Sequence, residues 1–199
     1  MDNKPFAEVI ESNLQEFTAQ CWKWDHFPPF GSLITIQADQ TTLFGVVFQV
    51  KTGSIDPIRY PFAYQKTEKE LLEEQPQIFE FLKTSFSCLI IGHQVQNRPL
   101  SYSLAPKPAK IHAFTALASI QQAKLFFSNR NYLHPLFALH SATFNLDELL
   151  IRLLQQQSEL KMLNKAAIID FTNTFNLLIG NDYRRLKLFL QRAEHLITP

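Results

Sequence analysis

The chain has 199 residues, of which 46% are hydrophobic and 19% charged, with a formal net charge of +1. That composition excludes a disordered chain and gives no support for a dominant polyphosphate partner. Eighteen phenylalanines against five glycines point to an aromatic-rich core and away from glycine-rich phosphate loops.

Cys21 and Cys88 are the only cysteines. Two thiols make no disulfide framework and no CxxC pair, so both are expected reduced and at least partly buried. The start, Met1-Asp2-Asn3-Lys4-Pro5, has no apolar leader. Apolar runs such as Leu89-Ile90-Ile91 fall far short of the roughly 20 residues that span a bilayer. A cytoplasmic protein without membrane insertion is the expectation.

Taken in chain order, residues 5–22 carry Phe6, Val9, Ile10, Leu14 and Phe17 at helical spacing, which predicts an amphipathic helix. It leads into an aromatic segment that Pro28-Pro29 closes. The period then changes. Ser32–Ile36 and Leu43–Val50 read as an antiparallel strand pair, with Gly45 marking a bulge and Thr52-Gly53-Ser54 with Asp56-Pro57 ending the second strand. Residues 66–85 read as a helical excursion, opened by a capping box of Thr67 and Glu70. Phe86–Gly92 is the next strand and Leu100–Leu104 its partner, across a turn at Asn97-Arg98-Pro99.

Ala105-Pro106-Lys107-Pro108 is a seam that excludes helix, and the boundary between halves falls near Lys110. Beyond it the pattern is helical over 116–127 and 132–140. Asn145 with Glu148 forms a capping box, Phe144 can staple to Leu149, and Leu146, Leu149, Leu150, Leu153 and Leu154 form a stripe. The next helix aligns Ile168, Phe171, Phe175, Leu178 and Ile179, then stops at Gly180. Asn181-Asp182 caps a last helix with Leu186, Phe189, Leu190, Ala193 and Ile197. The expected fold class is therefore α+β, a small closed β-barrel followed by a helical region. The expected division is 1–27 (helix and aromatic segment), 28–112 (barrel with the 66–85 excursion) and 113–199 (helices).

Catalytic patterns are missing. There is no GxxxxGK[ST] or GxGxxG loop, and the six histidines form no HExxH or i, i+4 pair. Cys21 and His26 could supply two metal ligands, too few for a site. Glu68, Glu70, Glu73 and Glu74 could form an acid/base pair or cation site, but a solvated helix face is the favoured reading. Cys88 sits in an apolar strand, where a thiol stays protonated. No cofactor, no metal and no enzymatic activity are expected.

Two surfaces stand out. In the aromatic segment, Trp22, Lys23, Trp24, His26 and Phe30 interleave rings with cations as contact hot spots do. The alternative is a segment that packs the first helix onto the barrel. In the last helix, Arg184, Arg185, Lys187 and Arg192 make a basic patch or a solvated face.

Pro29-Phe30-Gly31-Ser32-Leu33-Ile34-Thr35-Ile36 with Leu43-Phe44-Gly45-Val46-Val47 resembles the opening of the HAS-barrel, which HerA-type DNA translocases share with rotary ATP synthase subunits. Glu74-Gln75-Pro76-Gln77-Ile78, Leu89-Ile90-Ile91-Gly92 and the exit Pro106-Lys107-Pro108-Ala109-Lys110-Ile111-His112 extend the likeness. Together they look like stand-alone cyanobacterial members with a helical tail. The resemblance covers residues 28–112 and implies a non-catalytic barrel that makes subunit or partner contacts. Residues 113–199 read as helices and not as an ATPase core, so no catalytic residue is expected to carry over. The expected function is protein interaction or assembly, with another protein as partner, such as a multi-subunit ATPase or other large complex. Binding of nucleic acid or a ribonucleoprotein is the alternative.

Overall fold

A computed structural model describes residues 4–56, 58, 61–139 and 144–197. His140, Pro57 and the side chain of Ile197, each assigned a role above, lie outside the described residues.

Six strands close a barrel in the order β1-β2-β5-β4-β3-β6. They are β1 (Ala7–Ser12), β2 (Glu16–Cys21), β3 (Leu33–Ala38), β4 (Thr41–Ser54), β5 (Leu82–Val95) and β6 (Phe114–Leu117). Between β4 and β5 lie α1 (Glu68–Glu74) and α2 (Gln77–Glu80). After β6 come α3 (Ile120–Phe127), a 3-10 turn (Arg130–Tyr132), α4 (Leu133–Ala138), α5 (Leu146–Glu159), α6 (Lys165–Leu178) and α7 (Tyr183–Ile197). The fold is α+β, a small closed barrel followed by helices, as the residue pattern implied.

β3, β4 and β5 bury both faces over their central residues, and alternate residues there enter two different cores. From β3, β4 and β5, Ile34, Ile36, Leu43, Val47, Phe86, Cys88 and Ile90 fill the barrel interior with Phe17, Ala19 and Cys21 of β2. Their neighbours Leu33, Phe44, Val46, Phe48, Leu89 and Ile91 point the other way, into a core shared with the helices. Burial on both sides explains why β4 reads as an almost unbroken apolar run. Gly45 lies at a bulge in the β4–β5 ladder, as expected. A Cβ there would stand 2.8 Å from Phe17 Cε1, so the absent side chain makes room for that ring. The proline seam closes the interior, with Ala105 and Ala109 joining its core.

Four expectations need correction. The predicted helix over 5–22 is the β1–β2 hairpin. Asn13 Oδ1 turns it by accepting from the backbone N–H of Gln15 and Glu16 at 2.7 and 3.0 Å. β2 alternates, with Phe17, Ala19 and Cys21 inward, a two-residue period made with small side chains. Secondly, the helical excursion ends at Glu80: residues 82–85 are already strand, and β4 itself runs on to Ser54 because the two strands pair to Ser54↔Leu82. Thirdly, the expected strand Leu100–Leu104 is reduced to a single antiparallel bridge between His93 and Ser101. Finally, the helix expected from Ala116 begins at Ile120, because 114–117 form β6, which bonds β1 to β3 and closes the barrel. Barrel strands thus occur on both sides of 28–112.

Most of the remaining helix-terminus signals act as expected, while the box expected at Asn145 is only half formed. Thr67 and Glu70 form the capping box of α1, and Ser119 and Gln122 form one on α3. Asn145 caps α5, accepting from Asp147 and Glu148 N–H, but Glu148 turns away to pair with Arg192 instead of completing a box. Gly180 adopts φ 68° after α6, and Asp182 Oδ1 accepts from Arg185 N–H at the start of α7. Phe171, Phe175 and Phe189 pack ring against ring between α6 and α7. The helices grip the barrel through Phe126, stacked on Phe44, and through Gln156, whose Nε2 donates to Gly31 O at 2.6 Å.

Candidate functional site

β3 stops pairing with β4 at Val46, and β2 stops pairing with β5 at Ser85. Past those points β4 and β5 continue as a two-stranded ribbon, Lys51↔Ser85 to Ser54↔Leu82. Beyond its tip, the described residues between Ile55 and Phe81 include α1 and α2. Neither α1 nor α2 buries a residue, so the connection contributes apolar side chains that no core absorbs.

Those side chains border a cleft of about 540 Å³. Ile58, Phe62, Tyr64, Leu71, Phe79 and Phe81 are among the residues that line it. Ile58 is 88% and Phe62 77% exposed, extreme values for residues of their size. Phe62 and Tyr64 meet edge to face at 6.4 Å. Trp24, which does not itself line the cleft, stacks on Phe79 at 5.4 Å and so braces α2.

Among the described residues the lining is mainly apolar, with Ser54 and Tyr64 its hydroxyl-bearing members, and it can desolvate apolar groups. The helices that supply Leu71, Ile78 and Phe79 also carry Glu68, Glu70, Glu73, Glu74 and Glu80. Glu70 Oε2 accepts from Thr67 N–H at 2.7 Å, and this backbone bond with the Thr67 hydroxyl lowers the Glu70 pKa. Glu74 pairs with Lys66. Among the described residues, Glu68, Glu73 and Glu80 have no salt-bridge partner.

The aromatic segment engages several elements instead of forming one patch. Trp22, 54% exposed, meets Phe114 of β6 edge to face at 5.3 Å. Lys23 is exposed, and His26 lies edge-on to Phe6 at 5.6 Å. Trp24 is half-buried and its carbonyl accepts from the Thr84 hydroxyl. Phe30 packs on the helical core, and its carbonyl accepts from Arg152 Nε at 3.3 Å. On α7, Arg185 binds Asp147 at 2.9 Å and Arg192 binds Glu148, so two of the four cations latch α7 to α5. Arg184 and Lys187 face solvent.

Both thiols are buried. Burial pushes Cys21 up to about 11 and Cys88, inside the barrel, well above its usual range. Among the described residues no group of three or more His, Cys, Asp or Glu side chains could hold a metal, and no helix is long and apolar enough to cross a membrane.

The cleft residues escaped the sequence reading because Ile58, Phe62, Tyr64 and Phe81 follow no period. A usable signal was present: large apolar residues scattered through a connection punctuated by Pro57, Pro61 and Pro76. Comparisons of the chain with protein-family models and with curated proteins find no match.

Proposed function

We propose that this chain is a non-catalytic, cytoplasmic protein-interaction or assembly module on a HAS-type barrel, and that it engages another protein through the ribbon-tip cleft. The observation that carries this reading is the concentration of exposed Ile58, Phe62 and Phe81 around one concave surface. Contiguous exposed apolar surface of this kind is costly in water and marks contact sites. A partner such as a multi-subunit ATPase or another large complex suits a barrel of that type. Nucleic-acid binding, the alternative, draws less support, since half of the α7 cations are already paired within the chain.

The test compares partner capture from native lysate by the unaltered chain and by Ile58→Ser and Phe62→Ser. Both side chains are exposed, so melting temperatures should hold while the captured protein is lost. Retention of the same partner by both variants would place the interface elsewhere, with Trp22 or the Arg184 face next to be tested.

A further inference from the structure

We infer that the cleft accepts a cationic segment of a partner protein, one that presents large apolar anchors flanked by lysine or arginine. This rests on the reading of the cleft as an interface and adds the chemistry of what fills it.

Residues 54–82 carry six carboxylates and three cations, whereas the whole chain has 18 acidic and 19 basic residues. This stretch is thus net acidic in a nearly neutral chain, and it also carries the exposed Ile58, Phe62 and Phe81. Within the group, the Glu70 carboxylate serves the α1 cap and Glu74 is neutralised by Lys66. Glu68, Glu73 and Glu80 stand on the same two helices that supply Leu71, Ile78 and Phe79 to the cleft. An occupant of the cleft comes against α1 and α2, whose exposed carboxylates attract it if it is cationic and repel it if it is anionic. Lysine and arginine suit such a surface, because their stems cover apolar surface while their heads stay in water. An acidic segment of equal hydrophobicity would meet like charge on α1 and α2.

A second copy of this chain is the competing occupant. Its α7 offers Arg184 and Lys187 beside Tyr183 and Leu188, which are 74% and 53% exposed. A small apolar molecule is the other.

The experiment titrates the full-length chain into two labelled peptides and follows fluorescence anisotropy. One is an amphipathic sequence of leucine, phenylalanine and lysine; the other has glutamate at every lysine position. At low salt the lysine peptide should bind about tenfold or more tightly than the glutamate peptide, with the gap narrowing as salt rises. Glu68→Lys/Glu73→Lys/Glu80→Lys, all exposed positions, should reverse that order, and Phe62→Ser should weaken both peptides. Equal affinities, or a preference for the glutamate peptide, overturn the inference. So does binding of neither peptide, and so does a concentration-dependent dimer that Phe62→Ser abolishes. In each case the underlying reading is judged separately, by whether Phe62→Ser still captures the native partner.

Discussion

Phe126→Ala tests whether barrel and helices are one cooperative body. Phe126 is fully buried on α3, stacks on Phe44 of β4 at 5.5 Å and contacts Tyr102, Phe127 and Tyr132 ring to ring. It sits over Gly92 of β5, where an added Cβ would lie 3.4 Å from its ring. Truncation removes the ring from between a strand and a helix, neither of which can move inward freely, so a cavity remains. The expected cost is about 4 kcal/mol, within the range for buried Phe→Ala changes. For a chain of this size that lowers the melting temperature by roughly 8–16 °C. Two probes report on separate parts. Trp22 and Trp24 belong to the barrel end, so their fluorescence follows the barrel, while far-ultraviolet circular dichroism is dominated by the helices. In urea both transitions should shift together to a lower midpoint. If dichroism shifts while fluorescence keeps its original midpoint, the helices unfold from an intact barrel and the shared core confers no cooperativity.

Three further outcomes are expected. Gly45→Ala should destabilise by about 1–3 kcal/mol in urea titration, because its Cβ would press on Phe17 and Cys88; Gly53→Ala, with open space around it, should not destabilise. Thr67→Ala removes the α1 cap and should cost that helix about 1 kcal/mol, seen as faster amide exchange over 68–74 with no change in global melting, since α1 buries nothing. Burial pushes the Tyr102 phenol up to about 12 and Tyr132 up as well, above the ordinary tyrosine value of about 10. The folded state therefore holds these protons more tightly than the unfolded one, and stability complete below about pH 10 falls as pH rises toward 12; a urea midpoint unchanged between about pH 9 and about pH 11 would refute this.

The helical half was legible because its signals are large and local: Asn145, Gly180 and Asp182 act at the termini where they were read, and the leucine stripe of α5 is buried as a stripe. The central strands were legible for a similar reason, since β-branched runs bounded by turn residues are hard to read otherwise. The β1–β2 hairpin was not. Its inward positions are Ala7, Val9, Phe17, Ala19 and Cys21, and small side chains leave a faint two-residue period that the larger Ile10 and Leu14 overwrite. Those two lie 48% and 44% exposed, so the apparent helical stripe was built partly from surface residues. β6 is short and exists because β1 and β3 each need a neighbour, a tertiary requirement without local trace. Of the surface candidates, Trp24 braces α2 without lining the cleft, while the cleft's own lining comes from aperiodic residues of the connection.

Burial of β3, β4 and β5 on both faces alters what holds the strands in alignment. In a sheet with one wet face, a slip of one residue turns polar side chains inward, and hydration alone forbids it. Here a one-residue slip of β4 would exchange Leu43, Gly45 and Val47 for Phe44, Val46 and Phe48, one apolar set for another. Volume must do what polarity cannot. The interior is narrow, filled out by Ala7, Ala19, Cys21 and Cys88, and it admits Phe17 only where β4 presents glycine. Alignment of this barrel is accordingly a matter of fit, and it turns on Gly45, where a hydrogen atom stands against the Phe17 ring.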